Sequence, residues 1–258
     1  MDLGLRGRTA LVCASTAGLG RATAEALAAE GARVVISGRR ADKAREIASA
    51  LPGAEAVECD VTGDGAAARL VAESQEALGA ELDIVVLNGP GPKPGGATAV
   101  GTGDLRAAVE SLVLFQQELT AAVLPGMRER GWGRILSIGS SGVVEPISGL
   151  VLSNVGRSAL AAYLKTLATE VAGDGVTVNM LLPGRIETDR VRSLDAGRAE
   201  REGRAVAEIA AEAAASIPAR RYGTPEEFGA VGAFLCSEQA GYVTGTAVRC
   251  DGGMVHRL

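Results

Sequence analysis

The chain has 258 residues, enough for one large α/β domain with a substantial core. Apolar residues make up 47% and aromatics only 3%, so that core must be built from Ala, Val, Leu and Ile. A net charge of −5 argues against nucleic acid or an anionic membrane as partner, no run of 18 apolar residues offers a membrane span, and the opening MDLGLRGR lacks a signal-peptide apolar region, so a cytoplasmic protein is expected.

Short apolar runs alternate with longer helical patterns. TALVCA (9–14) reads as a strand and GLGRATAEALAAEGA as a helix; RVVISG is followed by ADKAREIASAL, and AEAVECD by GAAARLVAESQEALG. LDIVVLNG (82–89) is the fourth strand, and a long helix runs from about Asp104 to Arg130. RILSIGS, the helix in LVLSNVGRSALAAYLK (150–165), VTVNMLLPG, the helix PEEFGAVGAFLCS and the strand AVRCDGG complete the series. This alternation predicts a parallel sheet with helices on both faces in a single domain, residues 1–258. The charged, Ala-rich stretch at about 185–221 breaks the rhythm and reads as one or two lid helices. Cys13, Cys59, Cys236 and Cys250 form no CxxC or Cys/His cluster, which fits reduced core thiols better than a zinc site.

Ligands of such sheets bind beyond the carboxyl ends of the strands. After the first strand, Gly18 and Gly20 open a helix, where backbone N–H groups and the helix dipole suit a pyrophosphate. The second strand ends in Arg39 and Arg40 instead of the carboxylate expected for an unphosphorylated ribose, which favours NADP(H) over NAD(H). Asp60, after the third strand, suits an adenine amino group or a helix cap, and Asn88 suits bracing of neighbouring strand ends.

Taken together, LVCASTAGLG, CDVT, LNG, GWGRILSIGSS, TVNMLLPG, RYGTPEEFG and GYVTGTAVRCDGG resemble the short-chain dehydrogenase/reductase family over essentially the whole chain, in the style of its β-ketoacyl carrier-protein reductases. The resemblance implies a seven-stranded doubly wound (Rossmann) sheet and reduction of a carbonyl, or oxidation of an alcohol, on a small molecule. It also implies a homodimer or homotetramer, with contacts through the last strand and the 104–130 and 150–172 helices. The implied cofactor contacts are Ser15, Gly18, Leu19, Gly20, Arg39, Asp60, Val61, Asn88, Gly89, Pro183, Ile186 and Thr188. Two motif positions depart from the family: Cys13 and Ala14 stand where it has Thr-Gly, and the alanine methyl is expected to crowd the turn.

The catalytic positions depart further. The family's serine falls on Ser140, its tyrosine on Ser153, its lysine on Arg157, and its helix asparagine near Ser111 or Leu112. A serine hydroxyl is a far weaker acid than a tyrosine (pKa about 10), and an arginine (pKa above about 12) cannot relay a proton. Ser140 and Arg157 therefore form an oxyanion site without an evident proton donor. Tyr163 is no substitute, since six residues leave it about 120° from Arg157 around a helix. Glu145 is a candidate acid or substrate-orienting group; Arg185 and Arg190, at the lid start, allow for an anionic substrate; His256 is expected in solvent or at an interface. Ser153 and Asn154 are also favoured N-cap types, so a helix-capping role stands beside the catalytic one. A non-redox lyase or isomerase and a catalytically silent cofactor- or partner-binding protein remain as alternatives.

Overall fold

The computed structural model describes residues 1–61, 63 and 65–257; Thr62 of the CDVT segment and the terminal Leu258 lie outside the described residues. Seven strands form one sheet in the order β3-β2-β1-β4-β5-β6-β7. They are β1 (Thr9–Val12), β2 (Arg33–Gly38), β3 (Glu55–Glu58), β4 (Ile84–Leu87), β5 (Gly133–Ile138), β6 (Val176–Pro183) and β7 (Ala247–Cys250). Every neighbouring pair is parallel, with registers such as Val12↔Ile36, Val12↔Val86 and Leu87↔Ser137. The order reverses between β1 and β4, which puts the switch point where the glycine loop begins.

The sheet carries helices on both faces because its strands are apolar on both. Ala10, Val12, Ile84, Val86, Leu136 and Ile138 face α1 (Gly18–Ala29), α2 (Ala41–Ser49) and α9 (Pro225–Leu235). Leu11, Cys13, Val85, Leu87 and Ile135 face α3 (Ala66–Leu78), α5 (Phe115–Glu129) and α6 (Val151–Val171). Continuous apolar runs are what strands buried on two faces require. Helix α9 starts where GTPEE says it should: the Thr224 hydroxyl accepts the Glu227 N–H at 3.2 Å, the Glu227 carboxylate accepts the Thr224 N–H at 2.8 Å, and Pro225 takes the first turn. A side chain at Gly229 would stand 2.4 Å from the Ala22 carbonyl, so glycine there lets α9 lie directly against α1.

The long helix predicted at 104–130 is present but not uniform. Helix α4 (Thr102–Val109) passes through a π-helical turn at Glu110–Leu114 into α5. By length and composition alone, Thr102–Glu129 is long and apolar enough to cross a membrane. Its Leu112, Phe115, Leu119, Val123 and Met127 are instead buried, as in a core helix. The 185–221 stretch forms two helices, α7 (Asp189–Glu202) and α8 (Val206–Ser216), which pack on each other. Among the described residues all four cysteines are free thiols, and burial pushes those of Cys59 and Cys236 up to about 11 and about 12.

Candidate active site

One cleft of about 1260 Å³ opens at the carboxyl end of the strands. Of the sequence-derived cofactor contacts it is lined by Gly18, Leu19, Arg39, Asp60, Val61, Asn88, Gly89, Pro183, Ile186 and Thr188. Thr16, Ala17 and Arg40 line it as well. Ser15 and Gly20 lie beneath it. The Ser15 hydroxyl is fully buried, donating to the Val12 carbonyl at 2.7 Å and accepting the Ser37 N–H at 2.9 Å, so it staples β1 to β2 and does not face the cleft.

The glycine loop takes its shape from backbone conformation. Gly18 has φ +58°, which glycine adopts without steric cost. A side chain at Gly20 would stand 2.6 Å from the Asn88 amide nitrogen. That amide donates to the Cys13 and Ala14 carbonyls, both at 3.2 Å, so Asn88 braces the end of β4 against β1 as its position suggested. Ala14 sits at φ +47°, in the left-handed region that its family counterpart, glycine, occupies freely. The residue before α1, Ala17, offers no side-chain cap, leaving the first N–H groups of the helix without a side-chain acceptor. The Arg40 guanidinium donates to the Thr16 hydroxyl at 3.2 Å, while Arg39 projects from the end of β2 with no ion pair among the described residues.

Ser140, Ser153 and Arg157 line the same cleft, beside the ends of β4 and β5. Ser140 follows β5, and its Oγ accepts the Gly142 N–H at 3.1 Å, closing a tight turn. Ser153 and Arg157 are one turn apart on the same face of α6. Arg157 donates to the carbonyl of Ile138, the last residue of β5, at 2.5 Å. Protein atoms ring its guanidinium, and this burial, with the nearby Arg190, lowers its pKa to about 10. No carboxylate pairs with Arg157 among the described residues. The capping alternative fails: α6 is capped by Leu150, without a side-chain bond, and Ser153 and Asn154 lie inside the helix. Asn154 instead holds the backbone of Ile147 in the Ser140–Gly149 segment.

The remaining candidates separate cleanly. Glu145, Arg185 and Arg190 line the cleft; Glu145 is exposed, and Arg185 is committed to the buried Asp195 and to the Tyr222 hydroxyl at 3.2 Å. Tyr163 packs against the core and does not line the cleft. Ser111 and Leu112 do not reach it either: the Ser111 hydroxyl donates to the Ala107 carbonyl at 3.0 Å, and Leu112 fills the space left by Gly156. Two features escape sequence reasoning. Gln116, buried just past the π-helical turn, donates to the Asn88 carbonyl at 3.4 Å, and its only sequence signal is an amide in an apolar stripe. The tail residues Met254, Val255 and His256 form a wall of the cleft, because Asp251 accepts the Gly253 and Val255 N–H groups at 2.9 and 3.0 Å and folds the tail back.

The model of the family described as enoyl-(acyl carrier protein) reductase matches residues 13–255. The dehydrogenase/reductase SDR family member 4 of Oryctolagus cuniculus is 35% identical, the match covering 98% of this chain and 96% of the relative. The chain belongs to the short-chain dehydrogenase/reductase family. The 3-oxoacyl-[acyl-carrier-protein] reductase of Salmonella typhimurium is 31% identical over 98% of this chain and 99% of its own. The crystal structure of L-sorbose reductase from Gluconobacter frateurii, complexed with NADPH and L-sorbose, superposes with a TM-score of 0.93 at 32% identity over the whole of both chains. As a short-chain dehydrogenase/reductase the protein is an NAD(P)-dependent oxidoreductase. Counted from Ser140, the positions at which the family is expected to carry a tyrosine and a lysine hold Ser153 and Arg157.

Proposed function

We propose that this short-chain dehydrogenase/reductase uses NADP(H) to reduce a ketone on a small molecule, or to oxidise the corresponding alcohol, at the cleft between the glycine loop and α6. The observation that carries this reading is the convergence of Ser140, Ser153 and Arg157 on the cleft that the glycine loop opens. The residues present fit a dinucleotide. Gly18 and the uncapped start of α1 suit the pyrophosphate, Gly20 leaves room for the Asn88 brace, and Thr188 stands opposite Gly18, its methyl 3.7 Å from where a Gly18 Cβ would be. Asp60 and Val61 flank the adenine end, while Gly89, Pro183 and Ile186 flank the nicotinamide end. Arg39 and Arg40 favour a 2′-phosphate, and the nearest acid along the chain, Asp42, pairs with Arg45. The NADPH bound by the sorbose reductase supports the same choice.

When bound, the cofactor supplies or accepts the hydride. The protein must then stabilise the substrate oxygen and exchange its proton. The Ser140 hydroxyl and the Arg157 guanidinium converge where that oxygen belongs, and a cation in a low-dielectric cleft stabilises developing negative charge strongly. Ser153 holds the water that gives the proton in reduction and takes it in oxidation. Helices α7 and α8 act as the substrate lid of a single domain. The protein works in the cytoplasm as a homodimer or homotetramer.

Fluorescence titration with NADPH and NADH, followed by turnover on a panel of ketones, tests the reading. Tight NADPH binding with ketone-dependent oxidation of NADPH is expected. Absence of NADPH binding at millimolar concentration rejects it, and binding without turnover on any ketone or alcohol favours a silent binding protein.

A further inference from the structure

Two guanidiniums face the substrate half of the cleft, and among the described residues no carboxylate forms an ion pair with either. Arg157 reaches the carbonyl of Ile138 at the end of β5. Arg190, in the first turn of α7, crosses to the loop after β4: its Nη2 donates to the Pro92 carbonyl at 2.9 Å, and its guanidinium lies 3.3 Å from where a side chain at Gly91 would begin. Because β4 and β5 are paired neighbours, with Leu87 opposite Ser137, the two cations stand over adjacent strand ends. They are close enough that Arg190 helps lower the pKa of Arg157.

The acids nearby are otherwise placed. Asp189 pairs with the exposed Arg192 at 2.6 Å, and Asp195 is taken by Arg185. Glu145 is exposed and joins neither guanidinium. Asp60 follows β3, three strands away from β4. The dinucleotide phosphates belong at the start of α1, beyond β1, and at Arg39 and Arg40, so they do not neutralise this pair. Burying a cation such as Arg157 without a counter-charge is costly, whereas Arg190 is exposed and free to meet a ligand. Removing water on closure of the cleft raises that cost and strengthens any anion that enters.

Resting on the reading above, we propose that the substrate is a small oxo acid, or its hydroxy-acid counterpart, whose carboxylate is clamped between Arg190 and Arg157 beside the reacting carbon. Arg190 is the specificity-determining residue, since its planar fork suits a carboxylate and its bridge from α7 to Pro92 fixes it across the cleft. Arg157 supplies the second charge and remains next to Ser140, so the carboxylate must sit within a few bonds of the carbonyl. A 3-oxoacyl thioester, neutral around its carbonyl, fits this half of the cleft poorly.

The test uses the full chain with NADPH and three matched pairs: pyruvate and methyl pyruvate, acetoacetate and methyl acetoacetate, levulinate and methyl levulinate. Turnover is followed at 340 nm, and binding to the NADPH-loaded protein is followed by calorimetry, so slow chemistry does not hide recognition. In at least one pair the acid should be favoured about tenfold or more, as expected for a charge-assisted contact. Arg190→Met should erase at least that factor of preference, and Arg201→Met, altering an exposed arginine in the last turn of the same helix, should not. Equal or better use of the esters in every pair overturns the inference, as does an acid preference that survives Arg190→Met, or no binding by any acid. NADPH binding and ester reduction without acid preference overturn it while leaving the proposed function intact; failure to bind NADPH overturns both.

Discussion

The side-chain amide of Asn154 grips the backbone of Ile147 twice, donating to its carbonyl at 2.9 Å and accepting its N–H at 3.2 Å. This pair ties α6, which carries Ser153 and Arg157, to the segment that leaves Ser140. The Asn154 Oδ1 also lies 2.5 Å from where a Gly142 side chain would begin, so the turn after Ser140 closes directly on it. Asn154→Ala leaves the Ile147 N–H without its partner and its carbonyl with the Leu150 N–H alone, and should cost about 1–3 kcal/mol. The urea midpoint should fall with an unchanged m-value. Amide exchange at Ile147 should accelerate more than in β5; equal acceleration throughout the chain would show that the bond has no local role.

Ala14 carries strain at the rim of the cofactor cradle. At φ +47° its methyl costs about 1–2 kcal/mol relative to glycine, partly offset by the greater freedom of glycine in the unfolded chain. Ala14→Gly should therefore stabilise the protein by roughly 0.5–1 kcal/mol. Since Ala14 also lines the cleft, the dissociation constant for NADPH should fall too. Thermal melting and fluorescence titration check the two effects separately, and a lower melting temperature contradicts the strain argument.

Arg39 and Arg40 are not equivalent, although the sequence presents them as a pair. Arg40 is held over the glycine loop by Thr16, whereas Arg39 is uncommitted at the end of β2. Arg39→Ala should weaken NADPH binding by about 10–100-fold, the worth of one hydrogen bond to a charged group, and leave NADH binding unchanged. Arg40→Ala should weaken both cofactors modestly by loosening the loop. Titration of both variants with both cofactors decides the matter. Equal losses for NADPH and NADH in Arg39→Ala would remove the 2′-phosphate contact.

How far the sequence reveals this site depends on the range of the interactions involved. The cradle was legible because Gly18 and Gly20 follow a strand and begin a helix, and local geometry dictates both. The spacing from Ser140 located Ser153 and Arg157 because strand, turn and helix fix that distance along the chain. Other features depend on contacts between distant residues. The π-helical turn at Glu110–Leu114 has no local marker and lies where Leu112 meets Gly156, 44 positions further on. Ser15 looked like a cofactor contact because it lies in the loop, but the loop turns it inward to β2. His256 is exposed, as expected of a residue in solvent or at an interface, but the fold-back of the tail by Asp251 also places it on the cleft wall, which its sequence neighbours do not show.

The depressed pKa of Arg157, about 10, has consequences of definite sign. At neutral pH the group stays charged and can stabilise an oxyanion. Its folded pKa lies below its unfolded one, so the unfolded chain binds more protons between the two values, and this group's contribution to stability rises as pH goes from about 10 upward. Turnover behaves oppositely: it should fall above about pH 10 as the charge is lost. In Arg157→Lys the alkaline limb should move lower, because lysine starts near 10.4 and the same burial and the same Arg190 push it down. A pH–rate profile at saturating substrate checks both variants; an unchanged limb shows that the charge at 157 does not act on the reacting oxygen.

The missing phenol leads to the most direct test. Counted from Ser140, Ser153 is expected at the tyrosine position; it lines the cleft with Ser140 and lies one helical turn from Arg157. If the geometry is otherwise intact, Ser153→Tyr with Arg157→Lys restores an acid of tunable pKa and the ammonium that lowers it. A positioned general acid contributes about 10²–10⁴-fold, so the double variant should reduce simple ketones faster than the natural protein by a factor in that range. Ser153→Tyr alone should gain less: burial raises the pKa of a phenol, and an arginine in place of the lysine cannot relay a proton to replenish it. Circular dichroism and NADPH titration establish that each variant folds and binds cofactor before rates are compared. A gain in the double variant assigns to Ser153 the place from which the proton is delivered. A folded, NADPH-binding double variant that gains nothing shows that the proton reaches the substrate from elsewhere along the cleft, and the water held by Ser153 is then the wrong source.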